Sequence, residues 1–158
     1  MRKLGNFAGF QAVWLACVIS AASGKAWIGL AVFAIVIAVH VWSARNRITE
    51  LTLLGAAAVI GVIAESALVA WGGIRFTGGG LPVWMIALWV NFASTLRYSL
   101  EWLSGRYALA CVLGAVAGPL SYLGGQRLGA ITVESPLAVA IEWAIATPLL
   151  VYLKERTS

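Results

Sequence analysis

Two carboxylic acids, Glu65 and Glu142, stand inside long apolar stretches of the sequence. An ionisable group at the middle of a membrane helix costs about 2.5 kcal/mol or more, so each acid needs a partner or a use. At roughly 1.5 Å per helical residue, Glu65 lies about 9 Å below the end of its apolar run at Trp71. Glu142, eight residues after Glu134, sits at a similar depth. Ser121 and Tyr122 reach the same level from another run, with Gln126 and Arg127 just above. Small neighbours (Ala58, Gly61 and Gly72 around Glu65, Ala138 and Ala146 around Glu142) turn both acids towards other helices. Two acids, a hydroxyl, a phenol and an arginine are therefore expected to converge. Glu65, Glu142, Tyr122 and Ser121 are the candidate catalytic groups, and Arg127 is a candidate ligand-binding group. The plainer alternatives are neutral acids hydrogen-bonded between helices, or a simple Glu–Arg127 pair.

A second constellation lies on a run predicted to be helical from Pro82 to Trp102. At roughly 100° per residue, Asn91, Ser94, Thr95, Arg97, Tyr98 and Glu101 share an arc of about 160°. Arg97 and Glu101 are four apart and are expected to pair. One reading is an arginine snorkelling to the interface. The sharper one is a hydrated groove in which Arg97, Asn91, Tyr98 and Glu101 hold an anionic headgroup.

Other chemistries find little support. His40, the one histidine, sits at the end of an apolar run near Trp42 and Arg45, where it is expected to be solvated. With a single histidine and no acids at ligand spacing, no metal site is expected, and no cofactor motif occurs. Cys17 and Cys111 read as small buried hydrophobes. The net charge of +5 is spread over segment ends instead of forming a patch, which excludes nucleic acid as a partner.

These groups must be positioned by membrane helices. Of 158 residues, 61% are hydrophobic and 11% charged, against about 25% charged in an ordinary soluble domain. The sequence reads as an all-α polytopic bundle, a single integral membrane domain over residues 1–158. Six spans are expected at about 6–22, 27–42, 51–71, 82–102, 107–126 and 136–153. Arg2, Lys3, Arg45, Arg47, Arg97, Arg106, Lys154 and Arg156 then fall on one side, and Lys25, Arg75 and Arg127 on the other. Eight basic residues against three place both termini in the cytoplasm. Trp27, Trp42, Trp71, Trp84 and Trp102 mark segment ends; Trp14, Trp89 and Trp143 lie deeper and are expected to pack between helices. Met1-Arg2-Lys3 and the apolar run after it resemble a signal peptide, read here as an anchor that stays; cleavage would leave five spans. Asn6, Gln11 and Trp14 make the start of that span polar, which suits hydrogen bonds between helices.

The segment Gly72–Leu81 is glycine-rich and reads as a mobile flap or a flexible turn. The fifth run carries Ala110, Gly114 and Gly118 on one stripe, a close-packing face. Pro119 removes a hydrogen bond there and predicts a kink or a pocket lining.

Several stretches resemble a bacterial membrane family known as domain of unknown function 2878. They are Asn6-Phe7-x-x-Phe10-Gln11-x-x-Trp14, Glu65-Ser66, Pro82-x-Trp84 through Leu96, Ser99-Leu100-x-Trp102-Leu103, and Gly114-Ala115-x-x-Gly118-Pro119-Leu120-Ser121-Tyr122 on to Ala130. The resemblance implies a bacterial inner-membrane protein with no assigned activity and an association with lipid-modification genes. It also implies that Asp is usual at the place of Glu65, so this chain keeps the acid on a longer arm.

Lipid handling or lipid modification within the bundle is the favoured expectation, with membrane lipids as partners; whether it is an enzyme is left open. The alternatives are a non-catalytic subunit or assembly factor of a membrane complex, with a membrane-protein partner or a second copy, and a small transporter whose acids carry protons. The absence of an obvious internal repeat counts against the last.

Overall fold

A computed structural model describes residues 2–157, without the Arg2 side chain, so Met1 and the Arg2 side chain of the anchor reading lie outside what is described. Six α-helices follow in order: α1 (Arg2–Ala22), α2 (Ala26–Ser43), α3 (Arg47–Trp71), α4 (Val83–Ala93), α5 (Tyr107–Arg127) and α6 (Pro136–Arg156). All but α4 are long and apolar enough to cross a membrane, which makes five by length and composition. Most of their exposed side chains are apolar, as on α2, where Trp27, Ile35, Val39 and Trp42 face outward. That surface suits lipid as the solvent.

Local chemistry sets the helix ends. Asn46 caps α3 by accepting hydrogen bonds from Ile48 N and Thr49 N at 3.1 and 3.3 Å. Gly72, at φ +79°, ends α3 in the left-handed conformation that costs glycine least. Ser135 caps α6 ahead of Pro136, whose missing N–H costs nothing in a first turn. Pro119 does not stop α5, which runs unbroken to Arg127.

The predicted fourth span is where the structure departs furthest. Its helix ends at Ala93 and the chain continues through turns to a single 3₁₀ turn at Glu101–Leu103. Ser94 and Thr95 explain the stop: their hydroxyls donate back to Asn91 O at 2.7 Å and Phe92 O at 2.6 Å, competing with the helix ladder. Non-helical backbone at membrane depth survives only where protein covers it. Ala93, Ser94, Thr95 and Leu96 are all buried. An eleven-residue α4 spans about 16 Å, roughly half of a hydrocarbon core.

At the end opposite the termini, Ile74–Phe76 (β1) pairs antiparallel with Ile131–Val133 (β2), in the register Ile74↔Val133, Arg75↔Thr132 and Phe76↔Ile131. Part of the predicted flap is thus tied down, and Arg75 pairs with Glu134 beside it. The exposed Gly78, Gly79 and Gly80 form the turn that follows, all at positive φ.

Packing is uneven. α5 lies along α6, α1 along α2, and α3 against α4 and α6, while α5 barely touches α1 or α4. The first contact relies on glycine: a Cβ at Gly114 would stand 2.1 Å from Trp143 O, and one at Gly118 2.5 Å from the Trp143 ring. Gly61 of α3 gives Trp89 of α4 the same kind of seat, with the ring 2.5 Å from where a Cβ would be.

Candidate functional site

The two seated tryptophans meet. Trp89 and Trp143 stack with ring centroids 4.6 Å apart and planes 21° from parallel, and Phe92 and Tyr122 set their edges against Trp143. This aromatic wall brings together three of the four candidate catalytic residues. Glu65 of α3 is fully buried. Its Oε1 accepts a hydrogen bond from the Tyr122 hydroxyl of α5 and a second, at 2.8 Å, from Trp89 Nε1. Glu142 of α6 lies within electrostatic reach of both Glu65 and Tyr122.

Neither acid has a basic partner among the described residues. Arg127, the expected counter-ion, is exposed, and Arg75 is taken by Glu134. Gln126 Oε1 accepts from Val133 N at 2.6 Å, holding the β2 turn. Glu65 Oε2 and both oxygens of Glu142 are buried with no hydrogen-bond donor among the described residues. Ser121, the fourth candidate, points elsewhere and accepts a hydrogen bond from Trp14 Nε1 at 2.9 Å. That bond is a bridge between α5 and α1.

In front of the wall lies a cavity of about 600 Å³, where α5 stands away from α1 and α4. Trp14, Trp84, Trp89, Tyr122 and Trp143 line it, and its few polar groups include Gln11, Ser121 and Thr147. No Lys, Arg, His, Asp or Glu is on the lining. The lining also includes Leu113, Ala117 and Leu120 of α5 and Gln11 of α1, all exposed, so the cavity opens sideways between these helices. Its size lies within the roughly 300–1,000 Å³ typical of small-molecule sites.

The second constellation is rearranged. Because α4 ends at Ala93, Arg97 and Glu101 are not one helical turn apart, and the expected pair does not form. Arg97 Nε instead meets Glu50 Oε2 at 3.1 Å, and Glu101 meets Lys3 at 3.1 Å. Arg97 also donates to Thr157 O and Oγ1 at 3.3 and 2.7 Å, tying the end of α6 to the turns after α4. Asn91 is buried and donates to Phe10 O at 3.0 Å. Asn6 donates to Ser94 O and accepts from Ser99, so the polar start of α1 bonds to the turns after α4. Tyr98 places its ring edge-on to His40 at 5.0 Å.

His40 itself corrects an expectation. It is not solvated: its side chain is 9% exposed, and its Nε2 lies 2.7 Å from Glu50 Oε1. Glu50, 1% exposed, is the centre of this network, and sequence reasoning passed it over. The signal was present in the Asn46 cap, which puts Glu50 in the first turn of α3, just across a short turn from His40. Trp89 was foreseen as a packing residue, while its hydrogen bond to Glu65 was not.

A model of the family described as "Protein of unknown function (DUF2878)" matches residues 3–149. Neither the curated proteins nor the solved structures contain a match. With nearly its whole length matched, the chain belongs to the DUF2878 family.

Proposed function

We propose that the protein is a six-span bacterial inner-membrane protein, with both termini in the cytoplasm, that binds and processes a membrane lipid inside its bundle. The observation that carries this reading is the apolar cavity opening sideways between α1 and α5. A lateral mouth at membrane depth admits an aliphatic chain without passing it through water. Burial of each CH₂ there brings no gain over the bilayer, so the polar wall must supply selectivity. Tyr122 on that wall and Glu65 behind it are the groups suited to moving a proton, since one hydrogen bond already joins them. In this orientation α4 and the turns after it make the fourth crossing together. Arg97, Lys154, Arg156 and Arg106 then face the cytoplasm, in keeping with the bias of basic residues.

Lipid extracts of a deletion strain, of the wild type, and of the deletion complemented with Glu65→Gln or Tyr122→Phe test the reading by mass spectrometry. The expected result is a lipid class that changes on deletion and returns with the wild-type gene but not with either variant at equal expression. An unchanged lipid profile across several stresses would overturn it.

A further inference from the structure

Resting on that lipid-pocket reading, we infer that the cavity takes a cationic amphiphile, with an aliphatic tail in the mouth and an ammonium group against the tryptophan wall. Charge balance is the first reason. Glu65 is buried and Glu142 half-buried with both carboxyl oxygens covered; neither has a basic partner among the described residues, and three of their four carboxyl oxygens meet no donor there. A buried acid without a partner is held neutral at a cost, and a cation from outside would let these acids ionise and pair.

The second reason is independent of the acids. Five indole or phenol side chains, Trp14, Trp84, Trp89, Trp143 and Tyr122, are among the residues that line the cavity. Aromatic faces attract ammonium groups, most strongly where water is excluded. Tyr122 and Trp143 belong to this wall, and Glu142 precedes Trp143 in α6 and lies within electrostatic reach of the Tyr122 hydroxyl. A cation on the rings therefore feels both the ring quadrupoles and the acids behind them.

Other polar ends fit less well. A phosphate or carboxylate would bring another negative charge beside two acids, with no Lys, Arg or His on the lining to receive it. A hydroxyl brings no charge to set against the acids.

The test uses the full chain in phosphatidylcholine nanodiscs, titrated with dodecyltrimethylammonium, dodecanol and dodecyl sulfate and followed by tryptophan fluorescence. The three probes share one tail and differ in headgroup charge. Comparing wild type with Glu142→Gln in the same discs cancels their partitioning into lipid. The expected result is that the ammonium binds at least about tenfold more tightly than the alcohol. In Glu142→Gln that preference collapses while dodecanol binding is kept. Equal affinity for all three, tightest binding of the sulfate, or an ammonium preference that survives Glu142→Gln each overturns the cation inference and leaves the lipid pocket standing. If none of the probes binds, both readings fall. Should Glu142→Gln not assemble, the ammonium-to-alcohol ratio on the wild-type chain, corrected for partitioning into empty discs, decides alone.

Discussion

Two buried acids at opposite ends of the same helix are treated in opposite ways. Near the termini, Glu50 is met on one oxygen by His40 at 2.7 Å and on the other by Arg97 at 3.1 Å. Towards the strand-capped end, Glu65 receives only two neutral donors on one oxygen, and Glu142 beside it receives none among the described residues. The first arrangement is closed: its charges are balanced inside the fold, and it ties α2, α3, the turns after α4 and the end of α6 together. The second is open, and it backs onto a cavity. Closed networks hold structure, whereas open ones wait for something, and the contrast predicts which substitutions cost stability and which cost function.

The largest effect on stability is expected from the closed network. Glu50→Ala removes the carboxylate that His40 and Arg97 share, and breaking a buried pair from one side costs about 3–5 kcal/mol. Thermal unfolding in mild detergent checks it. A variant as stable as wild type would show that the network near the termini is ornamental and would erase the contrast.

Next come the glycine seats of the stacked tryptophans. Gly118→Ala and Gly61→Ala each place a methyl group about 2.5 Å from a ring carbon of Trp143 or Trp89. Overpacking of this kind costs about 1–3 kcal/mol. Near-ultraviolet circular dichroism should lose the signal of the Trp89–Trp143 stack in both variants. Retention of that signal would mean that the wall is not held by these close approaches.

A smaller loss is expected at the link between wall and acid. Tyr122→Phe deletes the hydroxyl that donates to Glu65 and leaves that oxygen with Trp89 alone. The cost is about 1 kcal/mol, as for a typical hydrogen bond, with full loss of the proposed lipid activity. A Tyr122→Phe chain that unfolds as readily as Glu50→Ala would place the open cluster among the structural networks.

Sequence legibility divides along the same line. Long apolar runs are hard to misread, so α1, α2, α3, α5 and α6 are found within a few residues of their ends. Acids stranded in such runs also stand out, and Glu65 with Tyr122 could be paired by depth alone. The stop after Ala93 was hidden because it depends on where two hydroxyls donate, and Ser and Thr are common enough in membrane helices to pass unnoticed. Three-residue strands are too short to show alternation, which hid β1 and β2. Glu50 escaped because its partners come from α2 and from turns that read as helix. The missing counter-ion of Glu142 is a fact about every neighbour at once and has no trace in one segment.

Glu142→Gln is the substitution on which the contrast turns, because stability and function should separate there most cleanly. No protein group among the described residues is bonded to the Glu142 carboxyl, so the amide forfeits no hydrogen bond. It also removes an acid that the bundle holds next to another acid without a cation. Stability should therefore stay within about 1 kcal/mol of wild type, since no hydrogen bond to the fold is lost. The proposed lipid activity and the proposed preference for an ammonium headgroup should both disappear. Measured side by side with Glu50→Ala, the variant gives the sharpest reading of the two ends of α3. A loss of stability at Glu142 equal to that at Glu50 would mean that the acid is held by the fold, and that the cavity in front of it serves packing alone.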